Sequence, residues 1–241
     1  MRLFENRTAV ITGGGTGVGA AIALALAGAG AAIHLIGRRP ERLQAVAARA
    51  RGLGSEATCY AIDLADNMGQ LELAERLVRD LAHVDILVQN AAAFASDSFE
   101  RADPAELDRL YSTNVRAPYI LTQALLPKLI ARRGQVVFIN SSSGLSARAT
   151  TAQYDSTKHA LRAIADSLRA EVNAHGVRVL SVYLGRTASE MQEHIHLKER
   201  KPYRPELLLQ PEDVASVILN ALSLPQTAEV TDIYIRPMIK T

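Results

Sequence analysis

A chain of 241 residues, 48% hydrophobic and 22% charged, suits one large α/β domain with a substantial core. Its formal net charge of +2, with no dense basic tract, argues against a nucleic-acid surface, which needs clustered Lys and Arg. The single cysteine, Cys59, excludes an internal disulfide, and in the apolar run TCYAI it reads as a small core residue.

Taken in chain order, the start MRLFENRTAVITGG lacks the basic, apolar and cleavage regions of a signal peptide and leads into a strand, Thr8–Thr12. A helix is expected over 17–29 and a strand over 32–36. The apolar run that joins them is slightly short for a membrane span and is broken by Gly28, Gly30 and His34. A soluble cytoplasmic protein is expected. A helix over 40–53, a strand Ala57–Ala61, a helix over 67–82 and a strand Ile86–Gln89 follow. Residues 103–133 read as a long helical region, with Pro104 in its first turn and Pro127 bending it. Then come a strand over 135–140, a helix over 154–175 stopped by Gly176, and a strand Arg178–Leu184. The irregular stretch 185–210 precedes a helix opened by Pro211 and a last strand, Asp232–Ile235. Alternating strands and helices, with continuous apolar runs such as AVIT and VVFI, predict a doubly wound, seven-stranded parallel sheet covered on both faces. No repeat or polar linker divides residues 1–241, so one domain is expected, with 185–210 as a long insertion.

Two motifs carry chemistry. The first, TGGGTGVG from Thr12 to Gly19, joins the first strand to the first helix. Such a turn aims backbone N–H groups and a helix N-terminus at a pyrophosphate, and glycine is required where backbone must approach closely. The second, YDSTK, places Tyr154 and Lys158 on one helix face, thirteen residues after Ser141. An ammonium beside a phenol, with the positive nicotinamide of an oxidised cofactor, favours the phenolate and tunes it as a general acid–base.

These motifs resemble the short-chain dehydrogenase/reductase family over essentially the whole chain, including the TGxxxGxG spacing and the Pro211-Glu212-Asp213-Val214 opening of the last helix. The resemblance implies a single-domain Rossmann fold and an enzyme that interconverts an alcohol and a carbonyl. It implies Tyr154 as general acid–base, Ser141 as donor to the substrate oxygen, Lys158 as the group that tunes Tyr154 and binds the nicotinamide ribose, and Asn114 as holder of a relay water. Ser142 and Ser143 are expected to be turn residues. The cofactor is expected against Gly13, Gly15, Thr16, Gly17, Val18 and Gly19, then Asp63 and Leu64 at the adenine, and Asn90, Ala91 and Ala92 beyond the fourth strand. Gly185, Thr187 and Ser189 would meet the nicotinamide end. Two positions depart from the family pattern: Ala92 stands for a glycine, with its methyl expected to be absorbed by a small shift, and Leu184 for a proline.

The second strand ends without the carboxylate that binds a ribose 2′-hydroxyl in NAD enzymes. Arg38 and Arg39 follow instead, suited to a 2′-phosphate, so NADP(H) is expected in preference to NAD(H). The six histidines form no ligand spacing, and no metal is expected. The segment 185–210 is expected to form a substrate lid. The partners implied are a small carbonyl or alcohol and further copies of the chain, as a homotetramer or homodimer. The alternative is a regulatory protein that binds NADP(H) with little turnover.

Overall fold

Among the described residues seven strands organise this protein, and the central ones, apolar on both faces, must be covered twice. The seven are β1 (Thr8–Thr12), β2 (Ala32–Gly37), β3 (Ala57–Ala61), β4 (Ile86–Gln89), β5 (Gln135–Ser141), β6 (Arg178–Leu184) and β7 (Asp232–Ile235). The computed structural model describes residues 2–239. All strand pairs are parallel, in the order β3-β2-β1-β4-β5-β6-β7. The order reverses between β1 and β4, and a crevice opens there beyond the carboxyl ends of the strands.

Among the described residues there are eight α-helices, six of which cover the sheet: α1 (Gly17–Gly28), α2 (Pro40–Gly52), α3 (Asn67–Asp80), α4 (Pro104–Tyr111), α5 (Ala117–Arg132), α6 (Ala152–Val172), α7 (Glu190–Lys198) and α8 (Pro211–Leu222). One face of the sheet packs on α1, α2 and α8 through Ile22, Leu26, Leu43, Val46, Val214 and Ile218. The other packs on α3, α5 and α6 through Leu73, Leu77, Leu121, Leu125 and Leu161. Caps set several boundaries. Asp66 and Asp103 accept the N–H groups of Met68 and Ala105, with Pro104 in the first turn of α4, and Gly176 stops the turn after α6 at φ +74°. At the end of the sheet away from the crevice, buried Asp85 accepts from Arg7 (2.7 Å), Arg132 (2.9 Å) and the N–H of Thr8 (2.9 Å).

Three expectations change. The long helical region is continuous and carries an unexpected π-turn over Ser112–Arg116 between α4 and α5, while Pro127 lies inside α5. The irregular stretch 185–210 contains α7 and a short 3-10 turn, Pro205–Leu207. Cys59 is half-buried rather than deep in the core, because β3 is the outermost strand on its side of the sheet. Among the described residues no helix is long and apolar enough to cross a membrane.

Candidate active site

The glycine turn sits at the switch point, where backbone comes closest to backbone. Gly13 has φ +65°, and a side chain there would meet Asn90 Nδ2 at 2.7 Å. Asn90 is committed to this turn: Nδ2 donates to the carbonyls of Thr12 (3.1 Å) and Gly13 (3.2 Å). Thr12 Oγ1 in return accepts from the N–H groups of Asn90 (2.9 Å) and Ala91 (3.0 Å), tying the end of β1 to the end of β4. Thr16 caps α1 without spending its side chain on the helix, and no acidic residue occupies the first turn. The helix N-terminus is thereby left to an anion.

Above this turn lies a cavity of about 650 Å³, lined by Gly13, Thr16, Gly17 and Val18 at one end and by Ser141, Tyr154 and Lys158 at the other. Arg38, Arg39, Asn90, Ala91, Ala92, Gly185, Thr187 and Ser189 also face it. A neighbouring cavity of about 190 Å³ shares Gly13, Thr16, Arg38, Arg39, Ala91 and Ala92 and adds Gly15, Asp63 and Leu64. Ala92 is thus part of both walls. Gly19 and Asn114 line neither cavity. Gly19 lies beneath the turn, where a Cβ would come within 2.3 Å of Gly13 O.

Asn114 is sealed inside the π-turn, and its side chain is fully engaged. Oδ1 accepts from the N–H of Ala93 (2.7 Å), while Nδ2 donates to Ala93 O (2.9 Å) and Thr157 Oγ1 (3.0 Å). Asn114 thereby locks the segment after β4 to α6, one residue from Lys158.

Lys158 and Tyr154 are both buried. Lys158 Nζ donates to Ile139 O at 3.1 Å, and burial brings its pKa from 10.5 down to about 8. Nζ lies 5.8 Å from the centroid of the Tyr154 ring, whose other neighbour is Phe94, edge-on at 5.0 Å. The Tyr154 phenol departs from the sequence-based expectation. Burial pushes its pKa up from 10.0 to about 12, and the Ser141 hydroxyl offsets this only in part. Desolvation outweighs both the Ser141 hydrogen bond and the charge of Arg148, and Tyr154 is held protonated.

Ser141 ends β5, with its N–H held by Asn140 Oδ1 (2.8 Å) and its Oγ accepting from the N–H of Ser143 (3.2 Å). Asn140 Nδ2 donates to Lys158 O at 3.1 Å, so one asparagine ties Ser141 to the helix that carries the Tyr–Lys pair. Its place on β5 between Ile139 and Ser141 was its only sequence signal. Ser142–Gly144 form a short 3-10 turn. Leu184, at the position of the expected proline, is buried at the end of β6, and Gly185 N–H continues the ladder to Ile235 O at 2.8 Å. Thr187 Oγ1 donates to Gly185 O, and Ser189 Oγ accepts from Gln192 N–H as the cap of α7.

On the adenosine side the arginines have partners. Arg38 lies 3.9 Å from Asp63, and Arg39 lies 2.7 Å from Glu190 on α7. Among the described residues no group of three or more His, Cys, Asp or Glu side chains is placed to hold a metal.

A doubly wound sheet with a glycine turn at its switch point and a buried Tyr–Lys pair in the same crevice defines a dinucleotide-dependent class of protein. The family model described as short chain dehydrogenase matches residues 7–200. An uncharacterized oxidoreductase of Staphylococcus epidermidis is 29% identical over 239 residues, 99% of this chain and 100% of its own length. Among solved structures, a metagenomic short-chain oxidoreductase in complex with NADP superposes with a TM-score of 0.84 at 28% identity, covering 98% of this chain and 100% of that one. A 3-oxoacyl (acyl-carrier-protein) reductase from Agrobacterium tumefaciens, with NADP bound, gives 0.86 at 28% identity over 96% and 93% of the two chains. This chain belongs to the short-chain dehydrogenase family of oxidoreductases.

Proposed function

We propose that this protein is an NADP(H)-dependent oxidoreductase that interconverts a carbonyl and an alcohol, with Tyr154 as general acid–base. One observation carries the reading: Ser141, Tyr154 and Lys158 line the same cavity as the glycine turn and Arg39. The residues present fit a dinucleotide. Glycine at 13, at φ +65°, lets the turn close against Asn90 and Ala91 while its backbone lines the cavity, and the capping position of α1 is unspent. The guanidinium groups of Arg38 and Arg39 suit a 2′-phosphate, for which a carboxylate at this place would be repulsive.

A nicotinamide dinucleotide held by the glycine turn, Arg38, Arg39 and Lys158 would supply or take up the hydride, and its oxidised form would add a positive charge favouring the phenolate of Tyr154. Ser141 donates to the carbonyl oxygen and orients it, at a position held from behind by Asn140. Tyr154, kept protonated by burial, gives its proton to the same oxygen in the reductive direction. Lys158, with its pKa brought near 8, is a proton source one helical turn away. Asn114 is a positioning residue that acts through Ala93 and Thr157. Residues 1–241 act as one domain, and 185–210, with α7 at its centre, forms the wall over the substrate.

The test is consumption of NADPH and NADH with a panel of ketones and diketones, by wild type and by Tyr154→Phe. Turnover with NADPH that Tyr154→Phe loses supports the proposal. Tight NADPH binding without turnover in either protein would favour a non-catalytic cofactor-binding regulator.

A further inference from the structure

The cations that face the large cavity are nearly all spoken for. Arg38 faces Asp63, Arg39 is paired with Glu190, and Arg186 holds Glu199 with two contacts of 2.8 Å. Lys158 is turned to Ile139 O. Arg148 is different. It lines the cavity on the loop between β5 and α6, and among the described residues no carboxylate comes within ion-pairing distance of its guanidinium.

The loop nevertheless holds Arg148 at two points. Its N–H donates to Asp155 Oδ2 at 2.8 Å, and Thr151 Oγ1 donates to the same oxygen at 2.7 Å. At the other end of the residue, Nη2 donates to Ser143 Oγ at 3.2 Å, and Ser143 is itself buried and bonded through its N–H to Ser141 Oγ. Asp155, the nearest acid in sequence, thus spends Oδ2 on the backbone of Arg148 and makes no ion pair with its guanidinium, and Arg148, an exposed residue, lines the cavity. The guanidinium also lies close enough to Tyr154 to favour its phenolate. Arg148 lines the same cavity as Ser141 and Tyr154, so one small molecule in it can present a group to each.

We propose that Arg148 is the substrate-anion clamp of this site, and that the substrate is an oxo acid or hydroxy acid whose carboxylate docks on Arg148 while its carbonyl or hydroxyl oxygen meets Ser141 and Tyr154. The inference rests on the oxidoreductase reading above and narrows its substrate class. A planar, permanently charged fork with free donors matches a carboxylate bidentately. The serine that holds the fork, Ser143, is also bonded to the serine that would orient the carbonyl, so the two contacts share one support.

The test is calorimetric titration of the NADPH-loaded protein, and of the protein alone, with benzoylformate, levulinate and 5-oxohexanoate and with the methyl ester of each. At least one acid should bind wild type about tenfold or more tightly than its ester, the scale of one charge-assisted hydrogen bond. Arg148→Gln should erase that preference and leave ester binding within about threefold, while Arg148→Lys should keep part of it. Thermal denaturation of both variants checks that they fold. Absence of any acid preference in wild type, or its survival in Arg148→Gln, would overturn the proposal. Failure of NADPH itself to bind would instead count against the oxidoreductase reading, and the titrations of the protein alone keep the two outcomes apart.

Discussion

Arg39 and Glu190 stand 151 residues apart in sequence and meet at 2.7 Å, so the first residue of α7 is fastened to the arginine expected to receive a 2′-phosphate. Arg42 approaches the other oxygen of Glu190 at 3.5 Å. The hydrogen bond from Arg39 holds the Glu190 carboxyl below the ordinary glutamate range. A phosphate at Arg39 must therefore compete with a carboxylate already in place. All three side chains are about half exposed, so the pair is worth at most about 1 kcal/mol. Glu190→Gln should tighten NADPH by about two- to fivefold and leave NADH unchanged, as read by quenching of cofactor fluorescence. Equal changes for both cofactors would mean that Glu190 supports the loop and does not compete at Arg39.

Tyr154→Phe removes only a hydroxyl, and the ring keeps its edge-on contact with Phe94 at 5.0 Å. Turnover should fall about 10²- to 10⁴-fold, the usual contribution of a positioned proton donor, while NADPH affinity and thermal stability stay near wild type. Ser141→Ala should lower kcat by about 10²-fold or more through loss of one donor to the developing oxyanion. Steady-state kinetics with any ketone that wild type reduces will check both. A Tyr154→Phe protein retaining a tenth of wild-type kcat would remove Tyr154 from the chemistry.

The two variants test a site that was only partly legible in the sequence. The glycine turn, Ser141 and the Tyr–Lys spacing are local patterns, and the apolar runs of β1, β4, β5 and β6 mark strands that need cover on both sides. What escaped depends on tertiary partners. STNVR reads as ordinary helix, and its π-turn goes with the Asn114 side chain reaching across to Ala93, a contact over 21 positions. Helix α7 has no clean apolar stripe in EMQEHIHLK, and its start is fixed by the Ser189 cap and by the Tyr203 hydroxyl at Ser189 N (3.1 Å). Asn140 looked like the tail of a strand, yet it braces Ser141 and α6 together. The expected acidification of Tyr154 counts charges, the oxidised nicotinamide among them, and leaves out burial, which acts in the opposite direction.

Lys158 gives a prediction with a definite pH signature. Its pKa is about 8 in the fold against an ordinary 10.5, so below pH 8 it is charged in both folded and unfolded chains and burial of that charge costs stability in full. Between pH 8 and 10.5 the unfolded chain holds more protons than the folded one, and stability rises with pH. The cost at pH 7 is on the order of 3 kcal/mol, less what the hydrogen bond to Ile139 O returns. Lys158→Met should therefore be inactive but at least as stable as wild type at pH 7, and its advantage should shrink towards pH 10. Tyr154, raised to about 12, acts oppositely above pH 10, where stability falls as pH rises, but it enters both proteins. Denaturant titrations at pH 7 and pH 10 decide this, and a difference that does not change with pH would refute it.

Gly19 and Gly28 both lie in α1 and should respond in opposite ways to the same added methyl. At Gly19 a Cβ would stand 2.3 Å from Gly13 O and 2.4 Å from Asn90 Nδ2. The first is backbone, and the second belongs to a side chain pinned to the same turn. Neither can swing aside, so either α1 moves off the sheet or the turn at Gly13 opens. Overpacking of this kind costs about 1–3 kcal/mol, and each kcal/mol lowers Tm by about 2–4 °C in a chain of this size. NADPH affinity should fall as well, because the turn that opens is the one expected to cradle the pyrophosphate. At Gly28 the nearest atom, Leu53 Cδ1, is 4.0 Å away, and φ is not in the left-handed region. Gly28→Ala should raise stability by about 0.4–1 kcal/mol by restricting the unfolded chain, with cofactor binding untouched. Thermal denaturation and NADPH titration of the two variants side by side check the pair, and a Gly19→Ala protein that keeps wild-type Tm and affinity would show that the closeness of α1 to the turn is dispensable.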